Sequence, residues 1–252
     1  MRVKRRIFSG AVCEQIVYST GERANMKTAK PKRPRFQTEE ERAQHKLGIS
    51  RRKHARSFNA SFVPGDIYCT LTFDDENEVH DFRDAKRLRA NFMRRLHRAC
   101  PDARIRIYIG RGKNTHRIHM HMVCHGVDET VIRDKWGYGD VKHLVSLREH
   151  NYYNKVDYGA DYTGLANYLF DHWTPEQGGQ RWAQTRNMRE PEIEPAREAV
   201  RDYDEQRPPV APKGYQYVEC RKTAYGYYIF KYIKRPPGAK KEAGYVPLLQ
   251  CL

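Results

Sequence analysis

The spacing of apolar positions predicts a folded core that begins at Ile67. Ile67, Cys69, Leu71 and Phe73 alternate with Tyr68, Thr70 and Thr72, the period of two expected of a half-buried strand. Phe82, Ala85, Leu88, Phe92, Leu96 and Ala99 then recur at steps of three and four, with Arg83, Lys86, Arg87, Arg94 and Arg95 on the remaining surface, so a helix follows and Pro101 closes it. A second strand over 104–109 buries Ile105, Ile107 and Ile109 and turns Arg104, Arg106 and Tyr108 the other way. In a third strand, over 117–124, Ile118, Met120, Met122 and Cys124 are all apolar and face the helices. Arg117, His119, His121 and Val123 are left on the opposite face. If the three strands share one sheet, Thr70, Thr72, Arg104 and Arg106 lie on that same face. The pattern describes an α+β sandwich with helices on one side and an exposed, cationic, imidazole-bearing surface on the other.

Further along, 128–136 predicts a helix followed by a Gly137-Tyr138-Gly139 turn. Asp161-Tyr162-Thr163-Gly164 offers an N-cap for a helix over about 165–173, stopped by Pro175 and Gly178-Gly179. Residues 190–213, with Pro208-Pro209 and Pro212, suggest a linker or surface loop. Two aromatic strands, 215–220 and 226–233, are expected to complete the domain, and the chain from Pro236 on is expected to be loose. At the other end, Lys30-Pro31-Lys32-Arg33-Pro34-Arg35 cannot be helical and is too charged to bury. A Thr38-x-x-Glu41 capping box then starts a short basic helix ending near Arg56. The organisation read from the sequence is a basic arm over 1–60, a folded domain over 61–235 and a tail over 236–252.

Charge sharpens this picture. The chain carries a formal charge of +16, and residues 1–60 hold sixteen Lys/Arg against five Asp/Glu, so the arm supplies most of the excess. A surplus of this size costs self-repulsion unless a polyanion neutralises it, which makes nucleic acid the first partner to test. The six cysteines form no Cys-x-x-Cys pair, which argues against a zinc ribbon or a disulfide framework and for a reducing cytosol. No run of about 18 apolar residues is present and the first thirty residues are too polar for a secretory signal, so a soluble cytoplasmic protein with no membrane partner is expected.

His119 and His121 carry the candidate chemistry. Two imidazoles at i and i+2 on a strand point the same way, about 6 to 7 Å apart at Cβ, close enough to share one divalent ion. Such an ion can offset charge as a nucleophile attacks phosphorus, and Mn²⁺, Mg²⁺ or Zn²⁺ would suit imidazole with carboxylate or water. A tyrosine is an attractive nucleophile, because the phosphotyrosine keeps the energy of the broken phosphodiester and the strand can be resealed without ATP. Arg106, Arg111 and Lys113 are candidates to hold phosphates, with Thr70, Thr72, Arg104 and Arg117 on the same nucleic-acid surface.

Three segments, Thr70-Leu71-Thr72-Phe73-Asp74, Arg117-Ile118-His119-Met120-His121 and Gly164-Leu165-Ala166-Asn167-Tyr168-Leu169, resemble in order the three motifs of the HUH endonucleases. Within that class the chain is similar to the rolling-circle replication initiators of plasmids and phages of Gram-positive bacteria. Residues 181–191 also resemble the segment that follows the tyrosine helix in that group. The resemblance covers about residues 66–235. It implies a ferredoxin-like five-stranded antiparallel sheet with helices on one face, and Tyr168 as the nucleophile. It further implies nicking of single-stranded origin DNA through a 5′-phosphotyrosine link, with a host helicase and polymerase as partners. Relaxases and single-strand transposases of the same class, and a non-enzymatic basic nucleic-acid binder, are the alternatives. Two positions depart from the pattern. Many relatives place Lys three residues after the tyrosine, where this chain has Asp171, and many carry a Glu ligand before the His-x-His strand, where it reads Gly110-Arg111-Gly112-Lys113. His172, one helical turn after Tyr168, is the expected replacement ligand, with Asp171 next and Asp74 or His125 after it.

Overall fold

A computed structural model of the chain describes residues 2–20, 38–112, 114–174, 177–178, 180–223 and 226–235. The elements are β1 (Arg2–Ser9), β2 (Val12–Ser19), α1 (Glu39–Ser61), β3 (Ile67–Thr72), α2 (Phe82–Ala99), β4 (Arg104–Arg111), β5 (Ile118–His125) and α3 (Glu129–Lys135). They continue with β6 (Val141–Ser146), β7 (Tyr152–Tyr153), β8 (Val156–Asp157), α4 (Thr163–Asp171), β9 (Trp182–Gln184), β10 (Glu192–Ile193), β11 (Arg197–Glu198), β12 (Tyr215–Lys222) and β13 (Tyr228–Lys234). The fold is α+β with antiparallel sheets. Among the described residues no helix is long and apolar enough to cross a membrane. The chain divides into two compact units, one built from Met1–Ile49, His150–Asp161 and Pro191–Leu252, the other from Ser50–Glu149 and Tyr162–Glu190.

The first unit corrects the expectation of an N-terminal arm. β1 and β2 pair along their whole length, from Arg2 opposite Ser19 to Ser9 opposite Val12, across a turn whose Gly10 sits at φ 60°. Lysines and arginines dominate β1, and their number hides the period of two that buries Val3, Ile7 and Ser9. The sheet runs β10-β1-β2-β13-β12, with β11 also on β1. The aromatic strands β12 and β13 therefore complete this sheet and not the one that carries the histidines. Residues 190–213, expected as a linker or surface loop, supply the edge strands β10 and β11 and bury Ala196 and Tyr203. Cys13, Val17, Tyr203, Phe230 and Tyr232 pack together, and the Tyr232 hydroxyl donates to the Pro209 carbonyl at 2.7 Å. The basic run at 30–35 and the tail from 236 lie outside the described residues.

The second unit carries the histidines. Its sheet has the order β6-β3-β5-β4-β9, every pair antiparallel. One face is the apolar layer that the sequence pattern marks: Leu71, Ile105, Ile107, Met120 and Met122 pack against Phe82, Phe92 and Leu96 of α2 and Ile132 of α3. Asp81 starts α2 by accepting the Asp84 N–H at 2.8 Å. Trp136, fully buried at the end of α3, packs on Phe92 and donates its indole N–H to the Thr72 carbonyl at 3.1 Å. Gly139 sits at φ 143°, and a Cβ there would stand 2.4 Å from the Thr72 oxygen, so only glycine lets this turn close on the end of β3.

The other face differs from expectation. It is not left open: the Ser50–Ser61 part of α1, and α4, lie on it. Thr38 caps the helix, the Glu41 N–H donating to its Oγ1 at 3.1 Å, but the helix runs on past Arg56 to Ser61. His54, Ala55, Phe58, Asn59 and Ser61 are its buried residues, at helical spacing. Asn59 accepts from the Tyr162 N–H at 2.8 Å and donates to Thr163 Oγ1 at 3.1 Å, fastening the start of α4. This replaces the side-chain cap expected from Asp161 or Thr163, since the residue that caps α4, Tyr162, makes no side-chain capping bond.

Candidate metal centre

β5 places His119 and His121 two residues apart on the face turned away from α2, and register on both sides fixes what surrounds them. Thr72 and Gly110 lie opposite His119, and Thr70 and Tyr108 lie opposite His121. His172 follows the last residue of α4 and enters the same space. The ligand atoms of His119, His121 and His172 all lie within 4.8 Å of one another. The Nε2 atoms of His119 and His121 are 3.0 Å apart, a separation that two nitrogens each about 2.1 Å from one ion can span. The three rings meet edge to face, at interplanar angles of 76° to 86°.

Each ring is anchored from behind. Nδ1 of His121 lies 2.9 Å from the Tyr68 hydroxyl and 3.2 Å from Thr70 Oγ1. Nδ1 of His172 donates to the Tyr168 carbonyl at 2.8 Å, which commits that nitrogen and leaves Nε2 free to bind. The backbone of Arg117 hydrogen-bonds the His119 ring. Buried Gln177 donates to the His172 and Ile109 carbonyls, both at 3.1 Å, and so holds the end of α4 against β4. Gly110 makes room: a Cβ there would stand 2.9 Å from His172 Cδ2 and 3.0 Å from His119 Nε2. Three imidazoles steered from outside toward one point, with no carboxylate in the group, fit a transition metal better than Mg²⁺, and three protein ligands leave room for an outside oxygen.

Electrostatics suits the same use. Burial, helped by the neighbouring His119, His172 and His143, holds His121 at about 3, and burial also lowers His119. Imidazoles that stay neutral present lone pairs to a cation without first shedding a proton. His54, buried by Phe58, Phe170 and Trp182 and hydrogen-bonded to the Tyr108 hydroxyl at 2.7 Å, is likewise held at about 3 by burial and by Arg106 and Arg181. For both, the unfolded chain takes up a proton below about pH 6.5 that the folded chain refuses, so stability present at neutral pH is lost as pH falls from 6.5 toward 3. Each should cost about 2 kcal/mol by pH 5. Urea denaturation of metal-free protein at pH 7 and pH 5 should show this fall, and His54→Gln should remove about half of the histidine share.

Tyr168 stands beside the cluster. Its ring centroid is 4.3 Å from that of His172 and 5.8 Å from that of His121, and half of its surface is exposed. Asp171 does not join the group: it lies one residue, about 100° of helix rotation, from His172, and its carboxylate is taken by Arg51. Asp74 is engaged by Asn77, and His125 by Asp66 at 2.6 Å, so neither is available as the third ligand.

The nucleic-acid residues expected on the same face separate into three sets. Arg104 and Arg106 are buried under α1, donating to the Ser61 carbonyl and to Ser57 Oγ, so both are withdrawn from a nucleic-acid surface. Thr70 supports His121, and Thr72 donates to the Asp140 carbonyl at 3.3 Å. Arg111 and Arg117 are exposed, although Arg117 is paired with Asp75 and Glu78. Lys113 lies outside the described residues. Tyr68, Gly110 and Gln177 were not anticipated. Tyr68 alternates onto the histidine face, a signal already present in the sequence, whereas Gln177 reaches the site through backbone acceptors that no spacing reveals. No protein family, curated protein or solved structure matches the chain.

Proposed function

We propose that the chain is a metal-dependent DNA strand-nicking and rejoining enzyme of the HUH type, with Tyr168 as its nucleophile, acting at an origin to start rolling-circle replication. The observation that carries this reading is the half-exposed phenol of Tyr168 beside the converging imidazoles of His119, His121 and His172. The three motif segments support it, and so does the succession of a strand, a helix, two strands, a helix and a strand in the order β6-β3-β5-β4. A divalent ion held by the three histidines would act as a Lewis acid that polarises a phosphate oxygen and offsets the charge gathering on it. Tyr168 Oη forms the bond to phosphorus while the bond from phosphorus to the 3′ oxygen breaks, and the phenolic proton ends on that oxygen as a free 3′-OH. Reversal of the same step by a 3′-OH reseals the strand and returns the proton to Tyr168. α4 places the nucleophile and the third imidazole one turn apart, so one short helix sets the distance between them. A host helicase and polymerase would open and copy the template.

The test is covalent capture. A labelled pool of single-stranded oligonucleotides with Mn²⁺ should yield a protein–DNA adduct that survives boiling in detergent and disappears with a chelator. Salt-dependent binding without any adduct would replace this reading with that of a non-enzymatic nucleic-acid binder.

A further inference from the structure

We propose that a basic cleft at the start of α2 binds a phosphodiester group of the nucleic-acid strand, other than the phosphate that reacts. The proposal deepens the function given above and rests on it only for the identity of the strand. The cleft is a broad, open depression of about 580 Å³ lined by His80, Phe82, Arg83, Lys86, Arg111 and Gln177, together with Asp81.

Three cations face this volume and none of them has an acidic partner among the described residues. Arg111 lies over the Phe82 ring, 4.9 Å from its centroid, with one weak contact to the His80 carbonyl at 3.4 Å. Among the described residues Lys86 donates to the carbonyls of Gln177 and Gly178. Arg83 is exposed and lines the cleft. Of the nearby carboxylates, Asp84 pairs with Arg87, and Asp75 and Glu78 pair with Arg117; Asp81 lines the cleft and accepts the Asp84 N–H, and its single charge there stands against three cations. Unpaired positive charge gathered in a concavity attracts an anion more strongly than the same charge spread over a convex surface. The net charge of +16 makes a polyanion the fitting one. The capped helix terminus adds nothing to this, because Asp81 already occupies it.

Position ties the cleft to the metal centre. Arg111 directly follows Gly110, over which His119 and His172 stack, and Gln177 both lines the cleft and holds the His172 carbonyl. Alternation turns Arg111 toward α2 while Gly110 faces the imidazoles, so the cations stand at the end of β4, where a strand running on from the imidazoles would meet them with another of its phosphates. Such a contact fixes register on the strand and leaves the choice of base to other groups.

The experiment measures binding of a labelled single-stranded oligonucleotide to the full chain in excess chelator, where no cutting enters the readout, over a range of salt. R83Q/K86Q/R111Q should weaken binding on the order of 10- to 50-fold at 0.15 M salt and lower the slope of log K against log salt by about 2, at roughly 0.7 per phosphate contact. R94Q/R98Q/R133Q, which removes the same charge from elsewhere in the unit, should change affinity less than about threefold. R83K/K86R/R111K keeps the charge and should bind nearly as wild type, which separates lost contact from lost fold. Equal losses in the two glutamine variants would overturn the proposal, because general attraction would then suffice. An adduct in the capture assay together with an unchanged salt slope in R83Q/K86Q/R111Q would also sink the cleft while leaving the nicking reading intact; the absence of an adduct would not touch the binding result.

Discussion

His172→Ala is expected to weaken divalent-metal binding by at least about 100-fold, since loss of a group that merely orients a ligand typically costs 10- to 100-fold. The expectation follows from how little the site holds in reserve. Among the described residues three side chains converge, and the two on β5 cannot move to compensate, because the strand is paired on both edges. Asp171, the next candidate by position, is tied to Arg51, and Asp74 and His125 are tied to Asn77 and Asp66. Asp171→Asn should therefore leave affinity within about twofold of wild type. Competition against a chromophoric chelator measures both variants, with His119→Ala and His121→Ala as references. If His172→Ala bound metal as wild type does while His121→Ala did not, the ion would be held by β5 and an outside group, and the assignment of the third ligand would fall. An all-imidazole set also ranks the ions: Mn²⁺ or Zn²⁺ should bind well ahead of Mg²⁺, which favours carboxylate and water.

How much of this was legible in the sequence depends on whether a pattern is local. β5 is legible because four apolar residues alternate without a break, so the direction of His119 and His121 follows from the pleat alone. His172 is legible for a similar reason, since one turn of helix separates it from Tyr168. What covers a face is not local. Arg104 and Arg106 do point to the histidine side, as alternation requires, yet α1 arrives from earlier in the chain and buries them. That helix reads as part of a basic arm because its apolar residues are few and lie among Arg51, Arg52, Lys53 and Arg56. β1 and β2 were hidden in the same way, since outward lysines and arginines alternate with Val3 and Ile7 and charge dominates any average over the window. Gly110 read as the place of a missing acidic ligand; in the fold its lack of a side chain is what lets two imidazoles approach.

Tyr168→Phe is expected to abolish the covalent adduct, with the nicking rate falling by roughly four orders of magnitude or more, as removal of a nucleophile does in other enzymes. The change deletes one oxygen from a half-exposed ring and leaves the backbone carbonyl that holds His172 Nδ1 in place. Metal affinity should therefore stay within about twofold of wild type, which separates this variant from His172→Ala by a second readout. Two other phenols serve as controls. Tyr162 is buried, donates to the Arg148 carbonyl at 2.9 Å and is raised well above the ordinary range by burial, so it is neither accessible nor easily ionised. Tyr68 touches His121 at 2.9 Å, and burial raises it too, which makes it a support for the imidazole and a poor nucleophile. Tyr68→Phe should lower metal affinity by about 10-fold and slow nicking without preventing the adduct. The reverse outcome, an adduct that persists in Tyr168→Phe and vanishes in Tyr68→Phe with metal still bound, would move the nucleophile from α4 to β3. The strand would then have to approach from β3, and the half-exposed phenol beside His172 would have no part in bond breaking.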